Sequence, residues 1–366
     1  MNICIVAGAR PNFIKVAPII RAIEKAAQSG QNIEYKLVYA GEKEDKTLEN
    51  NLFADLKMPP PSVYLNAKCK SLNELTGQVM NSFEQYLEQN ATDVVIVVDD
   101  LASTMAAAIV TKKQGLRLAH LVAGTRSFDI NMPKEVNRLV IDGLSDYLFT
   151  AGMPGNSVAA KEGAHSSKVY MVGNILMDTL RFNHSSFKMP QIFNLLNLKK
   201  QEYIVFTLNR KAIINDKTRL ENIVNTLLEN NKNTPIIAPL RELAAEGVRD
   251  ILKKTESQNH IFHITQPLSY LEFGYLTANA KGIITDSGNV AEEATFNQVP
   301  CITLNDYTEH IETVKQGTNV LTGNDMQKLS EAYKNMLEKQ WKESTLPDMW
   351  DGRTAERIVK TLIKTK

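Results

Sequence analysis

The sequence predicts an α/β protein with two doubly wound, Rossmann-like domains that face a central cleft. Short apolar runs alternate with segments of helical period along nearly all of the 366 residues. Continuous β-branched runs between helices are typical of parallel strands buried on both faces. The runs fall into two series, and a chain of this length is too long for one ordinary hydrophobic core.

The first series of apolar runs predicts one domain over residues 1–172. Its predicted strands are 3–7, 35–39, 94–98, 116–122, 147–150 and 169–172, and its clearest helices are 13–27, 72–88 and 103–113. Gly173 follows the last strand and permits a tight turn. We therefore place the domain boundary between residues 172 and 173.

The second series predicts a nucleotide-binding domain over residues 173–350. Its predicted strands are 203–208, 235–238, 260–264, 282–285 and 300–304. Helical spacing returns at 352–366, and this C-terminal helix could pack back on the first domain. Two compact domains with a short junction usually hold a ligand between them.

Composition excludes several classes of function. The net charge is +1, with 43% hydrophobic and 23% charged residues, so nothing indicates nucleic acid or an anionic membrane as partner. No apolar run approaches the roughly 18 residues of a spanning helix, and no signal peptide is recognisable. The three cysteines form no C-x-x-C pair, so neither a metal site nor a disulfide framework is indicated. We expect a cytoplasmic protein.

The segment 282–293 carries the most informative pattern. An apolar run ends in Thr285, Asp286, Ser287 and Gly288, and a helical pattern with Glu292 and Glu293 follows. The free N–H groups and positive dipole of such a helix start favour an anion such as phosphate. A carboxylate one turn further on can accept hydrogen bonds from ribose hydroxyls. An ordinary capped helix remains the alternative.

A second helix start follows the first predicted strand. Gly8 permits a tight turn, and Pro11 suits a first helical position. Arg10 can place a fork of donors on a diphosphate, and Lys15 adds a point charge one turn later. The alternative for this segment alone is a turn with an exposed arginine.

Further motifs occur in a fixed order along the chain. They are GARPNFIK at 8–15, AGTRSFD at 123–129, MPKEVNR at 132–138, QPLSYL at 266–271 and TDSGNVAEE at 285–293. With them, the chain resembles the non-hydrolysing UDP-N-acetylglucosamine 2-epimerases from residue 2 to about residue 340. The resemblance implies a GT-B-like fold, a homodimer, and interconversion of UDP-GlcNAc and UDP-ManNAc without a metal or nicotinamide cofactor.

The resemblance also implies roles for single residues. The nucleotide-binding positions are Arg10, Lys15, Pro267, Leu268, Tyr270, Ser287, Gly288, Asn289 and Glu293. Of these, Arg10 contacts the diphosphate and Glu293 the ribose, while Asn289 replaces the family's second glycine. Arg126, Asn209 and Arg210 are expected near the sugar.

The acid–base positions depart from the family pattern. The family's reaction is eliminative and needs proton-transfer groups on both faces of C2. Asp100 is retained, and Glu135 is the second acid of the Pro-Glu-Glu motif. Val122 and Lys134 each stand where the family has a glutamate, and Asn209 stands where it has a histidine. His120 on its apolar strand is expected to be a core imidazole.

Three functional hypotheses remain from the sequence. The first is a protein that binds a UDP-HexNAc in the cleft but turns it over poorly or not at all. The second is an active 2-epimerase with a rearranged set of Asp100, Glu135 and Lys134. The third is glycosyl transfer on the related GT-B scaffold. His310 replaces a family arginine and could cap a helix or contact the nucleotide.

Overall fold

The computed structural model describes residues 1–48, 51–254 and 259–365. They form two compact units, one of residues 1–182 with the segment from residue 348 onward, and one of residues 183–347. Each unit is built on a wholly parallel sheet with helices between its strands. The predicted class of two Rossmann-like α/β domains is therefore confirmed.

The described residues of the first unit contain a sheet of seven parallel strands. These are β1 (Asn2–Ala7), β2 (Glu34–Tyr39), β3 (Val63–Tyr64), β4 (Val94–Val98), β5 (Arg117–Ala123), β6 (Tyr147–Thr150) and β7 (Val169–Met171). The helices between and after them are α1 (Arg10–Gln28), α2 (Leu52–Asp55), α3 (Leu72–Gln89), α4 (Ala102–Lys113), α5 (Pro133–Leu144), α6 (Met153–Lys161) and α7 (Ile175–Asn183). The strand order is β3-β2-β1-β4-β5-β6-β7.

The second unit carries six parallel strands in its described part. They are β8 (Ile204–Phe206), β9 (Ile236–Pro239), β10 (Phe262–Thr265), β11 (Gly282–Thr285), β12 (Cys301–Thr303) and β13 (Asn319–Leu321). The helices are α8 (Gln191–Leu195), α9 (Lys211–Ile214), α10 (Lys217–Glu229), α11 (Glu242–Leu252), α12 (Tyr270–Ala278), α13 (Gly288–Phe296), α14 (Ile311–Lys315) and α15 (Met326–Leu337). The strand order is β10-β9-β8-β11-β12-β13.

The C-terminal helix α16 (Thr354–Lys364) packs on α1 within the first unit. Asp178 of α7 accepts hydrogen bonds from the backbone N–H groups of Thr354 and Ala355 at 3.0 and 2.8 Å. A carboxylate at a helix N-terminus is favourable because it meets free N–H groups and the positive end of the dipole. These bonds hold α7 in the first unit, so the units divide after residue 182 rather than at the boundary of 172 and 173 placed from the sequence.

Burial explains why the strands could be recognised in the sequence. Every residue of β4 is buried, as expected for a parallel strand covered on both faces.

Burial also raises the pKa of the Cys4 and Cys301 thiols to about 12. In the part of the chain that the structure describes, no helix is both long and apolar enough to cross a bilayer.

Both sheets reverse their strand order at one point, between β1 and β4 and between β8 and β11. In open α/β sheets, ligands bind beyond the carboxyl ends of the strands at such a switch point. The residues that follow these four strands are 8–10, 99–100, 207–210 and 286–288. The topology thus places six of the residues singled out in the sequence directly after these strands, namely Arg10, Asp100, Asn209, Arg210, Ser287 and Gly288.

Candidate functional site

One carboxylate links the two turns at the switch point of the first unit. Asp99 Oδ2 accepts a hydrogen bond from Asn12 Nδ2 at 2.8 Å, and Asp99 Oδ1 lies 2.5 Å from Lys15 Nζ. The Asn12 side-chain oxygen accepts hydrogen bonds from the backbone N–H groups of the two residues before Arg10. These bonds shape the turn that leads into Arg10, the first residue of α1.

Lys15 and Gly8 have structural roles in this turn. Lys15 is buried, and its ammonium group already forms an ion pair with Asp99. Its assignment to the diphosphate stays a prediction, because a ligand would have to share that ammonium group with Asp99. At Gly8 a Cβ atom would lie 2.1 Å from Ser103 Oγ, so the close approach of α4 requires glycine.

Asp100, the predicted acid–base residue, lies in a cluster of ion pairs after β4. Its Oδ2 accepts hydrogen bonds from Arg138 Nε at 2.9 Å and Nη2 at 2.5 Å, and its Oδ1 lies 3.1 Å from Lys134 Nζ. Burial alone would raise the pKa of Asp100, but the charges of Lys134 and Arg138 outweigh burial and hold that pKa below its usual value. A carboxylate stabilised in this way is a weak base.

Glu135 is buried in the same cluster and accepts four hydrogen bonds. Its Oε2 accepts from the Ser127 backbone N–H, the Ser127 hydroxyl and Arg138 Nη1 at 2.8, 2.9 and 3.1 Å. Its Oε1 accepts from the Phe128 backbone N–H at 3.1 Å. Burial would raise the pKa of Glu135, but these donors, Ser127 first, lower it overall. Glu135 therefore holds the loop before α5 in place.

Val122 occupies a strained backbone position near the end of β5. Its φ is 72°, in the left-handed region that a β-branched residue rarely adopts. The pairing of β5 with β6 shifts register between Leu121 and Ala123, on either side of it. Strain of this kind costs about 1–3 kcal/mol and is concentrated at functional sites. The aliphatic side chain nevertheless offers no group that transfers a proton.

Arg126, assigned from the sequence to the sugar, lies in a second buried cluster. Its Nε and Nη2 donate to Glu162 at 2.8 and 2.5 Å, and Nη2 also lies 2.7 Å from Asp142 Oδ2. The Arg126 side chain is only 1% exposed. Its role toward a sugar stays a prediction, since its donors now face carboxylates of the first unit. His120 completes the cluster and is buried, as the sequence predicted.

The buried carboxylates make the first unit sensitive to acid. Burial would raise the pKa of Asp142, but His120, Arg126 and the Gly124 N–H lower it, and the pKa values of Asp100 and Glu135 are lowered as well. Their contribution to stability is complete above the unfolded carboxyl pKa of about 4 and is lost as the pH falls through the lower folded values.

We therefore expect the urea midpoint of unfolding to fall steeply below about pH 4. Asp178 opposes this trend, because burial raises its pKa and its protonation favours the folded state at low pH. Since buried pairs are poorly screened, the drop should persist in about 1 M salt. A midpoint unchanged between about pH 7 and pH 3 would contradict the ionised clusters.

The switch point of the second unit repeats the arrangement of the first. Asp286 follows β11, and its Oδ2 accepts hydrogen bonds from the backbone N–H groups of Asn209 and Arg210 at 2.8 and 2.6 Å. Arg210 Nε and Asn305 Nδ2 donate to the Asp286 carbonyl at 3.1 and 3.0 Å. In both units, a carboxylate after one central strand thus fixes the turn after the neighbouring strand. Asp286 therefore holds the backbone of Asn209 at the carboxyl end of the second sheet, where α13 also begins.

The start of α13 is accessible and lies beside a histidine. Ser287, Gly288 and Asn289 are partly exposed at the N-terminal end of this helix. A Cβ atom on Gly288 would lie 3.6 Å from His310 Cδ2, an ordinary contact. The His310 ring is held through Nδ1, which lies 3.2 Å from Glu292 Oε1. The Ser287 N–H donates to Thr285 Oγ1 at 3.0 Å, so the N–H groups of the following first turn, with the imidazole beside them, suit an anionic ligand.

The remaining predicted nucleotide contacts differ in exposure. Glu293 lies on α13 and is 7% exposed, and Tyr270, the first residue of α12, is 6% exposed. Pro267 is exposed and Leu268 is half-buried in the loop after the edge strand β10. Leu268 packs against the core, so it can shape the loop from below while Pro267 faces solvent.

Sequence reasoning missed the residues that hold the others in place. These are Asp99, Arg138, Asp142, Glu162 and, in its bridging role, Asp286. Arg138 had a local signal, because it follows Glu135 by three positions on one helix face. The other partners join distant parts of the chain, which no local pattern indicates.

Comparisons with known proteins agree with this architecture. The family described as UDP-N-acetylglucosamine 2-epimerase matches residues 25–363. The UDP-N-acetylglucosamine 2-epimerase of Methanocaldococcus jannaschii is 35% identical over 99% of both chains. The crystal structure of the UDP-GlcNAc 2-epimerase from that organism, in complex with UDP-GlcNAc and UDP, covers 100% of both chains at 34% identity with a TM-score of 0.85. The Neisseria meningitidis UDP-GlcNAc 2-epimerase bound to UDP-GlcNAc covers 100% of both chains at 26% identity with a TM-score of 0.87.

The protein belongs to the UDP-N-acetylglucosamine 2-epimerase family. The match extends over nearly the whole chain, and the GT-B-like fold class implied by the resemblance is confirmed.

Proposed function

We propose that this chain binds a UDP-N-acetylhexosamine in the predicted cleft and epimerises its C2 centre weakly or not at all. Two relatives bind UDP-GlcNAc, which supports the ligand class. The expectation of weak epimerisation rests on one observation: the carboxylates of Asp100 and Glu135 share a single ion-pair partner. Arg138 binds both Asp100 and Glu135 and is itself only 3% exposed.

The nucleotide end of the ligand is assigned to the second unit. We assign the phosphates to the start of α13 at Ser287, Gly288 and Asn289, where backbone N–H groups and the helix dipole favour negative charge. The β-carbon of Asn289 leaves its backbone N–H available for that role. Glu293 is assigned to the ribose, and Arg10 to the diphosphate. The loop with Pro267, Leu268 and Tyr270 is assigned to the uracil.

The acid–base set is the reason to expect slow chemistry. In the elimination a base removes the C2 proton while the C1–O bond breaks and UDP departs. In the return addition an acid delivers a proton to the other face of C2 and UDP adds back to C1. Val122 cannot transfer a proton, and the amide of Asn209 does not titrate. Asp100 and Glu135 are ionised but weak bases, because both have pKa values below the usual range. Each missing group costs about 10²–10⁴-fold in rate.

Lys134 favours the alternative of an active enzyme with a rearranged set. Its ammonium group lies 3.1 Å from Asp100 Oδ1, although its side chain is 62% exposed. A lysine within hydrogen-bond distance of a carboxylate can exchange a proton with it when a ligand excludes water. In that mechanism Lys134 and Asp100 would serve as the proton-transfer pair, and Lys134→Ala would abolish turnover.

Incubation with UDP-GlcNAc in D₂O distinguishes the two proposals. We expect calorimetry to show binding of UDP and UDP-GlcNAc, with little C2 deuterium, UDP release or UDP-ManNAc. Deuterium incorporation at C2 by the wild type, absent in the variants Asp100→Asn and Lys134→Ala, would favour the rearranged active site. Absence of binding to UDP and to a panel of UDP-HexNAc sugars would contradict the proposed function itself.

Glu293→Ala should weaken UDP binding by about 1.5–3 kcal/mol, the range for a hydrogen bond to a charged group. The side chain is buried on the helix whose N-terminus we assign to the phosphates. Calorimetric titration with UDP measures the change. Glu246→Ala, at an exposed position of α11, is the matched control. Equal affinity of the wild type and Glu293→Ala would refute the placement of the ribose.

We also propose a homodimer, as the family resemblance implies. Four large apolar side chains are exposed around the start of α5, namely Phe128, Ile130, Val136 and Leu139. Clustered exposure of this kind often marks a contact surface. Light scattering after size exclusion should give twice the mass of one chain, and the mass of a single chain at micromolar concentration would contradict the dimer.

A further inference from the structure

Both ring nitrogens of His120 face hydrogen-bond acceptors. Nδ1 lies 2.5 Å from Asp142 Oδ1, and Nε2 lies 2.9 Å from the carbonyl oxygen of Asp99. A carbonyl oxygen never donates, and an ionised carboxylate only accepts. A neutral imidazole has only one N–H group. The lone pair of its unprotonated nitrogen would then point at a second acceptor. Only a ring with both protons satisfies both contacts in this buried site.

The charges around the ring favour the same second proton. Arg126 carries one positive charge and pairs with Asp142 and Glu162, which carry two negative charges. The Asp99 carboxylate faces the turn after β1 instead, where Lys15 neutralises it. Glu162 is 34% exposed and shares Arg126 with Asp142, whereas Asp142 is only 7% exposed, so a charged ring gives this buried carboxylate a second positive partner.

We infer that His120 is held as the imidazolium and acts as a positioning residue for the turn of Asp99 and Asp100. Its Nε2–H group holds the Asp99 carbonyl while the Asp99 backbone adopts a φ of 58°. Asn137 Nδ2 holds the next carbonyl, that of Asp100, at 2.8 Å. Two donors thus fix two successive peptide groups at the end of β4.

The consequence extends to both sides of the switch point. The fixed backbone directs the Asp99 carboxylate to Asn12 and Lys15, and the Asp100 carboxylate to Arg138. One buried proton on His120 therefore supports the turn before Arg10 as well as the acid–base residue. The importance of His120 for catalysis rests on the proposed function. Its protonation state and its hold on the Asp99 carbonyl do not depend on that function.

Nitrogen NMR of the unmodified protein tests the protonation state directly. With ¹⁵N-labelled histidine, His120→Gln identifies the His120 signals by their loss. We expect both nitrogens of His120 to show the shifts of protonated nitrogens at about pH 7, where an unperturbed imidazole is mostly neutral. One unprotonated nitrogen at that pH would overturn the inference. The measurement needs no ligand, so it is independent of UDP binding.

A pair of variants tests the positioning role. The amide of His120→Gln can reach the place of Nε2 and still donate to the Asp99 carbonyl, whereas the shorter His120→Asn can reach only Asp142. Hydrogen exchange of residues 98–101 should be about tenfold faster or more in His120→Asn than in the wild type, and His120→Gln should restore part of the protection. His184→Gln, at an exposed position, should change nothing. Equal exchange in all four proteins would overturn the positioning role.

Discussion

Restoring three proton-transfer side chains should raise UDP-ManNAc formation by at least about 100-fold. The variant combines Val122→Glu, Lys134→Glu and Asn209→His, the residue types that the family resemblance implies for these positions. Each change acts on a feature of the structure. A glutamate at 122 removes β-branching from a residue with a φ of 72°. A histidine at 209 would extend from backbone that Asp286 already holds.

The exchange at position 134 matters most for Asp100. Lys134 Nζ lies 3.1 Å from Asp100 Oδ1, and its positive charge contributes to the lowered pKa of that carboxyl. A glutamate there removes the cation and adds a like charge, so the pKa of Asp100 should rise toward the range useful for a general base. Arg138 would still bind Oδ2 and limit that rise.

The matched control replaces the same positions without titratable groups, as Val122→Gln and Lys134→Gln with Asn209 retained. Coupled assay of UDP-ManNAc formation measures all proteins. Lys134→Gln also removes the cation beside Asp100, so we expect the control to gain only what that pKa change supplies, well below the gain of the restored protein. The rate effects of the three substituted positions are not additive. The rate gain of the restored variant is therefore bounded by the slowest remaining step. A control as active as the restored protein, or robust turnover in the wild type, would contradict the argument from proton transfer.

The fold was predictable because burial on both faces leaves a strong trace in the sequence. The run Val94–Val98 is apolar throughout and entirely buried. The predicted helix 13–27 appears as Arg10–Gln28, and its first turn lies where Pro11 indicated a helix start, ahead of the apolar periodic run. The strand Val63–Tyr64 has two residues and Asn319–Leu321 has three, too short to show a pattern.

The candidate site was predictable in its residue types but not in its pairings. Lys15 was assigned to the diphosphate, yet its partner Asp99 lies 84 positions away. Arg126 was assigned to the sugar, yet Glu162 lies 36 positions away. A helix start or a charged side chain has a local signal, whereas the partner that neutralises it is decided by the order of strands in the sheet. The sequence therefore indicates which charged groups are present. The partners that determine their ionisation are known only from the structure.

Arg138→Met should destabilise the first unit by about 3–5 kcal/mol, the range for breaking one side of a buried ion pair. Arg138 is 3% exposed and donates to Asp100 at 2.9 and 2.5 Å and to Glu135 at 3.1 Å. The methionine is similar in length but offers no donor, so two carboxylates lose their common partner. Urea unfolding followed by circular dichroism measures the loss, and Lys253→Met, which breaks an exposed pair with Asp250, should leave the midpoint nearly unchanged.

Removing the carboxylates as well separates lost charge pairing from lost packing. In a background of Asp100→Asn and Glu135→Gln, the same Arg138→Met change should cost much less, because no buried charge is left unpaired. The difference between the two backgrounds is the coupling energy of the cluster. Equal costs in both backgrounds would mean that Arg138 acts through packing alone. The lowered pKa values of Asp100 and Glu135 would then need another cause, and the proposal of slow epimerisation would lose its support from them.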